Sequence, residues 1–121
     1  MGLITRRFEF DAGHRVLRHE SKCANLHGHR YVAEVTIAGE LDLLGRVVDF
    51  AEVKAVVGRW IDRNWDHNVL FHERDPLLSL VGEYVEHTDP QAEKLKRPFV
   101  MPSGMNPTAE NMAAVLFWYA D

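Results

Sequence analysis

The first forty residues alternate with a period of two. In "ITRRFEFDAGH" (4–14), Phe8, Phe10, Ala12 and His14 share one parity, and Arg7, Glu9 and Asp11 share the other. "HGHRYVAEVTIA" (27–38) repeats the pattern. His27, His29, Tyr31, Ala33, Val35 and Ile37 fall on one side, with Arg30, Glu34 and Thr36 on the other. Such alternation predicts two half-buried strands. The polar stretch 15–26 reads as the loop between them. Paired as an antiparallel hairpin, the strands bring His14 beside His27 and His29 at the end nearest that loop, because residues two apart point to the same face.

The period then lengthens. "DFAE" offers Asp49 as N-cap with Glu52 three residues later. Val53, Val56, Val57, Trp60 and Ile61 follow at helical spacing. This helix should run to about Asn64, leaving Asp66 and His67 just past its C-terminus. Residues 72–105 are less regular. "DPLLSLVGEYVEH" predicts a short helix after Pro76, "TDPQAEKLKRP" a charged loop and "FVMP" a short strand. A segment of this length with weak periodicity often borders a site or an interface. "NPTAENMAAVLFWYA" opens a second helix, with Asn106 as cap, Pro107 at the first helical position and Glu110 in the first turn. Met112, Val115, Leu116 and Tyr119 make its apolar stripe.

Composition narrows the classes. The 121 residues suit one domain, and 46% hydrophobic content supplies an ordinary globular core. A formal net charge of -4 gives no global basic field for nucleic acid or an anionic membrane. One cysteine excludes an intrachain disulfide and suits a reducing compartment. The N-terminus has no signal-peptide core, and no apolar run approaches the ~20 residues of a membrane span. A cytoplasmic protein with neither nucleic-acid nor membrane partner is expected.

The candidate chemistry lies in "KCANLHGHRY" (22–31) and its neighbours. Neutral imidazoles are common zinc ligands, and a catalytic zinc usually keeps three protein ligands and one open position. His14, His27 and His29 would supply three. Cys23 allows two arrangements: a fourth ligand closing a structural site, or a free thiol beside an open one. A thiol needs a base or cation nearby to become reactive, and Asp66–His67 is a carboxylate able to orient a histidine that activates it. A histidine is ordinarily a satisfied core or surface residue, and an isolated "DH" ordinarily a solvated helix end.

In order and separation, "FDAGH", the run from Cys23 to "HGH", "VVDFAEVK", "DHNVL" and "NPTAEN" resemble the 6-pyruvoyl tetrahydropterin synthase family. The four-residue step from Cys23 to His27 is most similar to the bacterial branch, the 6-carboxytetrahydropterin synthases of queuosine biosynthesis. The resemblance covers residues 4–71 and 106–119. It implies an α+β tunnelling fold, an antiparallel sheet with two helices on one face, assembling as a homo-oligomer, a hexamer of two trimers. It implies Zn2+ on His14, His27 and His29, a catalytic Cys23, and Asp66 and His67 as its activating pair. The implied substrate is 7,8-dihydroneopterin triphosphate. The implied products are 6-carboxy-5,6,7,8-tetrahydropterin, acetaldehyde and triphosphate. Thr108 and Glu110 fall near the family's pterin pocket. Two departures stand out. The family's last two strands, with a pterin-anchoring glutamate, have no counterpart here, so a C-terminally incomplete domain is expected. The 72–105 segment, short in compact bacterial enzymes, is expected to reshape the pocket entrance. The alternatives are triphosphate elimination giving 6-pyruvoyl tetrahydropterin, and a non-catalytic zinc-stabilised assembly module with Cys23 ligated.

Overall fold

The structure is a computed structural model, described here over residues 1–120. Strands β1 (Gly2–His14) and β2 (His27–Gly39) form the expected hairpin, antiparallel along their full 13 residues each. The register pairs His14 with His27, Ala12 with His29, Phe10 with Tyr31 and Ile4 with Ile37. The apolar parity therefore meets itself across the pair, and burial along β1 alternates as the sequence does.

Two short strands widen the sheet on the other side of β1. β3 (Asn68–Phe71) runs parallel to β1, and β4 (Phe99–Val100) runs parallel to β3, giving the order β2-β1-β3-β4. The sheet is therefore mixed. Antiparallel pairing holds for the hairpin, and a helical crossover joins the parallel pair β3 and β4. β3 had no strand-length signal in the sequence because it is only four residues long, yet Leu70 and Phe71 are fully buried. β2 has no strand on its outer side among the described residues.

Asp49 caps α1 (Phe50–Val53) as expected, its carboxylate accepting from Ala51 N–H at 2.8 Å. The helix continues through a wider π turn, Lys54–Gly58, into α2 (Arg59–Asn64). The π turn explains which residues face the sheet. Val53, Val57, Ile61 and Trp65 are buried at steps of four, whereas Val56 is exposed and leaves the expected stripe. In a regular helix, steps of four drift by about 40° each. A wide turn absorbs that drift. Gly58 sits there because a Cβ at that position would lie 2.9 Å from the Phe8 ring.

α3 (Pro76–Glu83) has Asp75 as its cap and Pro76 in its first turn. α4 (Ala109–Ala120) begins two residues later than expected. Its cap is Thr108, whose Oγ1 accepts from Asn111 N–H at 3.2 Å. Asn106 instead spans to the 15–26 loop, and Pro107 is fully buried ahead of the helix. Phe10, Ala12, Trp65 and Leu70 join Val57, Ile61, Met112, Val115 and Leu116 in one core, so the long helices cover a single sheet face. Tyr119 is half exposed but lies 5.1 Å, ring to ring, from Trp60.

Candidate metal centre and its neighbours

Strand parity delivers the histidines. His14, His27 and His29 have ring centroids 4.7–5.0 Å apart. Their ligand atoms lie within 4.8 Å of one another. His14 is buried, His27 partly buried and His29 exposed. Carbonyl oxygens fix two of the rings. His14 Nδ1–H donates to Pro107 O at 2.6 Å, and His27 Nδ1–H donates to Asn25 O at 2.6 Å. A carbonyl can only accept, so in each neutral ring Nε2 is the bare nitrogen. These two Nε2 atoms face each other at 3.2 Å.

Two lone pairs held face to face repel unless a cation or proton lies between them. Their separation is close to the ~3.3 Å edge of a tetrahedral site with zinc–nitrogen bonds of about 2.05 Å. Orientation of ligating histidines through the second ring nitrogen is also what metal sites use. Burial, first, and then the neighbouring imidazoles hold His14 below its ordinary value of 6.5 against the opposing pull of the Pro107 bond. The ring is therefore kept in its ligating, neutral form. The residues present fit a zinc ion.

Tyr31 lies against this cluster. Its ring stacks on Phe10 at 5.2 Å, and its hydroxyl oxygen shares the His14 Nδ1 proton from 3.2 Å. Burial, together with negative charge on Cys23, pushes the Tyr31 hydroxyl up to about 12. Cys23 sits partly buried in a short 3-10 turn, Lys22–Ala24, whose carbonyl at Cys23 accepts from Val16 N–H at 2.9 Å. It stays outside the histidine cluster.

Asp66 and His67 follow α2, as expected. His67 Nδ1 is 3.0 Å from Asp66 Oδ1. Both are pinned to β1: Asp66 Oδ1 accepts from Asp11 N–H at 3.1 Å, and His67 N–H donates to Asp11 O at 2.6 Å. Burial of Asp66 works to raise its carboxyl, but the Asp11 amide, His67 and Lys96 outweigh it and hold it below 3.8. His67 opens onto a shallow depression of about 400 Å³ lined also by Asp11, His29 and Arg30. No hydrogen bond joins the pair to the Cys23 thiol among the described residues. Thr108 is occupied in capping α4, one residue from the carbonyl that holds His14, while Glu110 is exposed.

The matching profile, over residues 3–120, is that described as 6-pyruvoyl tetrahydropterin synthase. The chain belongs to the 6-pyruvoyl tetrahydropterin synthase family. It is 47% identical over 111 residues to a protein of Rickettsia bellii named 6-carboxy-5,6,7,8-tetrahydropterin synthase, spanning 90% of this chain and 72% of that one. A Rickettsia felis protein of the same name is 45% identical over 113 residues, with 93% and 75% covered. Among solved structures, an uncharacterised protein from Wolinella succinogenes superposes with a TM-score of 0.77 at 25% identity, covering 98% of this chain and 82% of that one. The 6-pyruvoyl tetrahydropterin synthase of Caenorhabditis elegans gives 0.60 at 25% identity, covering 98% and 77%. The α+β fold of the synthase family is thus the fold of this chain, and the family is one of enzymes.

Several groups that shape the site carried no sequence signal. The carbonyls of Pro107 and Asn25 are main-chain atoms of residues remote from, or merely near, the ligands. Tyr31 could have been singled out, since it shares the histidine parity two residues on. Among the described residues no helix is long and apolar enough to cross a membrane.

Proposed function

We propose that this chain is a zinc-dependent 6-carboxytetrahydropterin synthase. It converts 7,8-dihydroneopterin triphosphate and water to 6-carboxy-5,6,7,8-tetrahydropterin, acetaldehyde and triphosphate, a step of 7-deazaguanine synthesis. The observation that carries the reading is the opposed pair of bare Nε2 atoms on His14 and His27, with His29 completing three ligands and the thiol left out. Relatives 44–47% identical bear that name.

His14, His27 and His29 would hold the zinc, which supplies Lewis acidity toward the hydroxyls of the substrate side chain. Cys23 takes and returns protons on that side chain. Its charge acts on Tyr31, whose hydroxyl meets His14, so the thiol acts from the neighbourhood of the histidines. Asp66 holds His67 by Nδ1, which leaves Nε2 as the working nitrogen of a second proton-transfer group. Thr108 and Glu110 bind the pterin: the Thr108 hydroxyl keeps its own proton to donate while capping, and Glu110 presents an exposed carboxylate to ring N–H groups. Within one chain Cys23 and His67 do not meet, so the working form is a homo-oligomer, a hexamer of two trimers, in which copies complete each other's sites.

The test is incubation of zinc-loaded protein with 7,8-dihydroneopterin triphosphate, with mass spectrometry of the pterin and an acetaldehyde assay. Equimolar acetaldehyde and 6-carboxytetrahydropterin are expected. A 6-pyruvoyl product without acetaldehyde would mean the triphosphate-eliminating reaction, which the likeness to the Caenorhabditis elegans synthase favours as the second reading. No turnover, with zinc expelled on alkylating Cys23, would mean an assembly module.

A further inference from the structure

The 72–105 segment returns to the candidate site through two consecutive residues just before β4. Lys96 Nζ donates to the main-chain carbonyls of Asp62 and Asp66. These lie at the end of α2, where the last carbonyls lack helical partners and the helix dipole favours a cation. The next residue, Arg97, accepts through its carbonyl from Asn68 Nδ2 at 2.9 Å, and the same amide nitrogen donates to Asn64 O at 2.8 Å. From the opposite side, Asp11 of β1 binds both Asp66 and His67. Between these supports His67 adopts φ 57°, the left-handed region that a side chain disfavours. Such a conformation persists only where the surroundings fix it.

We propose that Lys96 is a positioning residue for the Asp66–His67 pair. By anchoring the Asp66 carbonyl it holds His67 in its left-handed turn, with the imidazole against the Asp66 carboxylate. This rests on the reading of Asp66 and His67 as a catalytic pair. It gives the long 72–105 segment a function at the site, one that capping of α2 alone does not include.

His67 clusters with Asp66 in its own turn and with Asp11 on β1, which Arg30 of β2 binds at 2.9 Å, and Lys96 reaches the pair through the Asp66 carbonyl. Lys96→Met keeps the aliphatic stem and removes both the donors and the charge. In K96M the His67 ring should lose its fixed orientation against Asp66, seen as shifted ring resonances and lost ring-to-Asp66 nuclear Overhauser contacts at one fixed pH. The kcat for pterin turnover should fall by about tenfold to a hundredfold with KM within about twofold, as for a misplaced group that acts in the transition state. Lys96→Arg should restore both readouts. A mere cap would lower the melting temperature and leave the His67 ring signals and kcat unchanged, which overturns the proposal. Lys96→Gln is read by the same criteria if K96M does not fold. His67→Ala separates the two levels. If it is inactive while K96M is unaffected, Lys96 fails and the pair stands. If H67A is fully active, the catalytic reading fails, and the His67 ring signals in K96M still decide whether Lys96 positions the ring.

Discussion

Asn106 clamps the loop that carries the thiol, and its removal has a calculable effect. Its Oδ1 accepts from Leu17 N–H at 2.8 Å and its Nδ2 donates to Leu17 O at 3.1 Å. The side chain thus mimics a short stretch of β-ladder between the 15–26 loop and the lead-in to α4. Asn106→Ala deletes both bonds. Each is worth about 1 kcal/mol net, and the Leu17 groups left behind are only partly shielded from water, so the loss should be about 2 kcal/mol. That is a change of about thirtyfold in the unfolding equilibrium constant. Urea denaturation followed by circular dichroism should show a lower midpoint with an unchanged slope. Because Cys23 lies in the freed loop, its alkylation under native conditions should also accelerate. Asn106→Asp retains the acceptor but turns an oxygen toward Leu17 O, so it should be at least as damaging as Ala. A stability within about 0.5 kcal/mol of wild type and unchanged alkylation in N106A would falsify the clamp.

Other outcomes follow from the same geometry. The Asp75 side chain is fully buried, caps α3 and lies 3.2 Å from Arg15 Nε without an aligned hydrogen bond. Asp75→Ala strands the guanidinium and should cost about 3–5 kcal/mol by thermal or urea unfolding, with part recovered in a double variant that also replaces Arg15 by Met. His14→Ala should abolish zinc retention through dialysis, measured by atomic emission, while Cys23→Ala should keep zinc and lose turnover. Asp66 is held below 3.8 in the fold, so the unfolded chain binds its proton first as pH falls. Its stabilisation is complete above that value and lost as pH drops through the folded one, and acid titration of Asp66→Asn should lack this component. Gly58→Val places side-chain atoms in the Phe8 ring and should destabilise by about 1–3 kcal/mol.

Local periodicity made the hairpin and the cluster of three histidines legible. Parity alone set the register that puts His14 opposite His27, and no distant contact was needed to foresee it. Asp49 was legible for the same reason, since a cap acts within its own turn. What could not be read depended on distant partners. Asn106 was expected to cap α4, as its chemistry allows, but two bonds to Leu17, 89 residues away, claim the side chain and leave the cap to Thr108. The parallel strand β3 is too short to show a period, and pairing with β1 makes it a strand, whereas β4 falls in the short strand expected at "FVMP". The exposure of Val56 followed from a π turn set by Gly58 against Phe8, a contact between helix and sheet. The supports of the Asp66–His67 turn come from β1 and from Lys96, which no motif marks.

The bond from His14 to Pro107 joins residues 93 apart in sequence. During synthesis, His14 emerges long before the carbonyl that sets its tautomer. Until then the imidazole can present either nitrogen, and the three histidines form a loose, exchangeable set of donors. Only when the lead-in to α4 docks is Nε2 committed inward. Tight holding of a metal by these histidines would therefore be a late event, a chronological seal that separates a finished fold from an unfinished one.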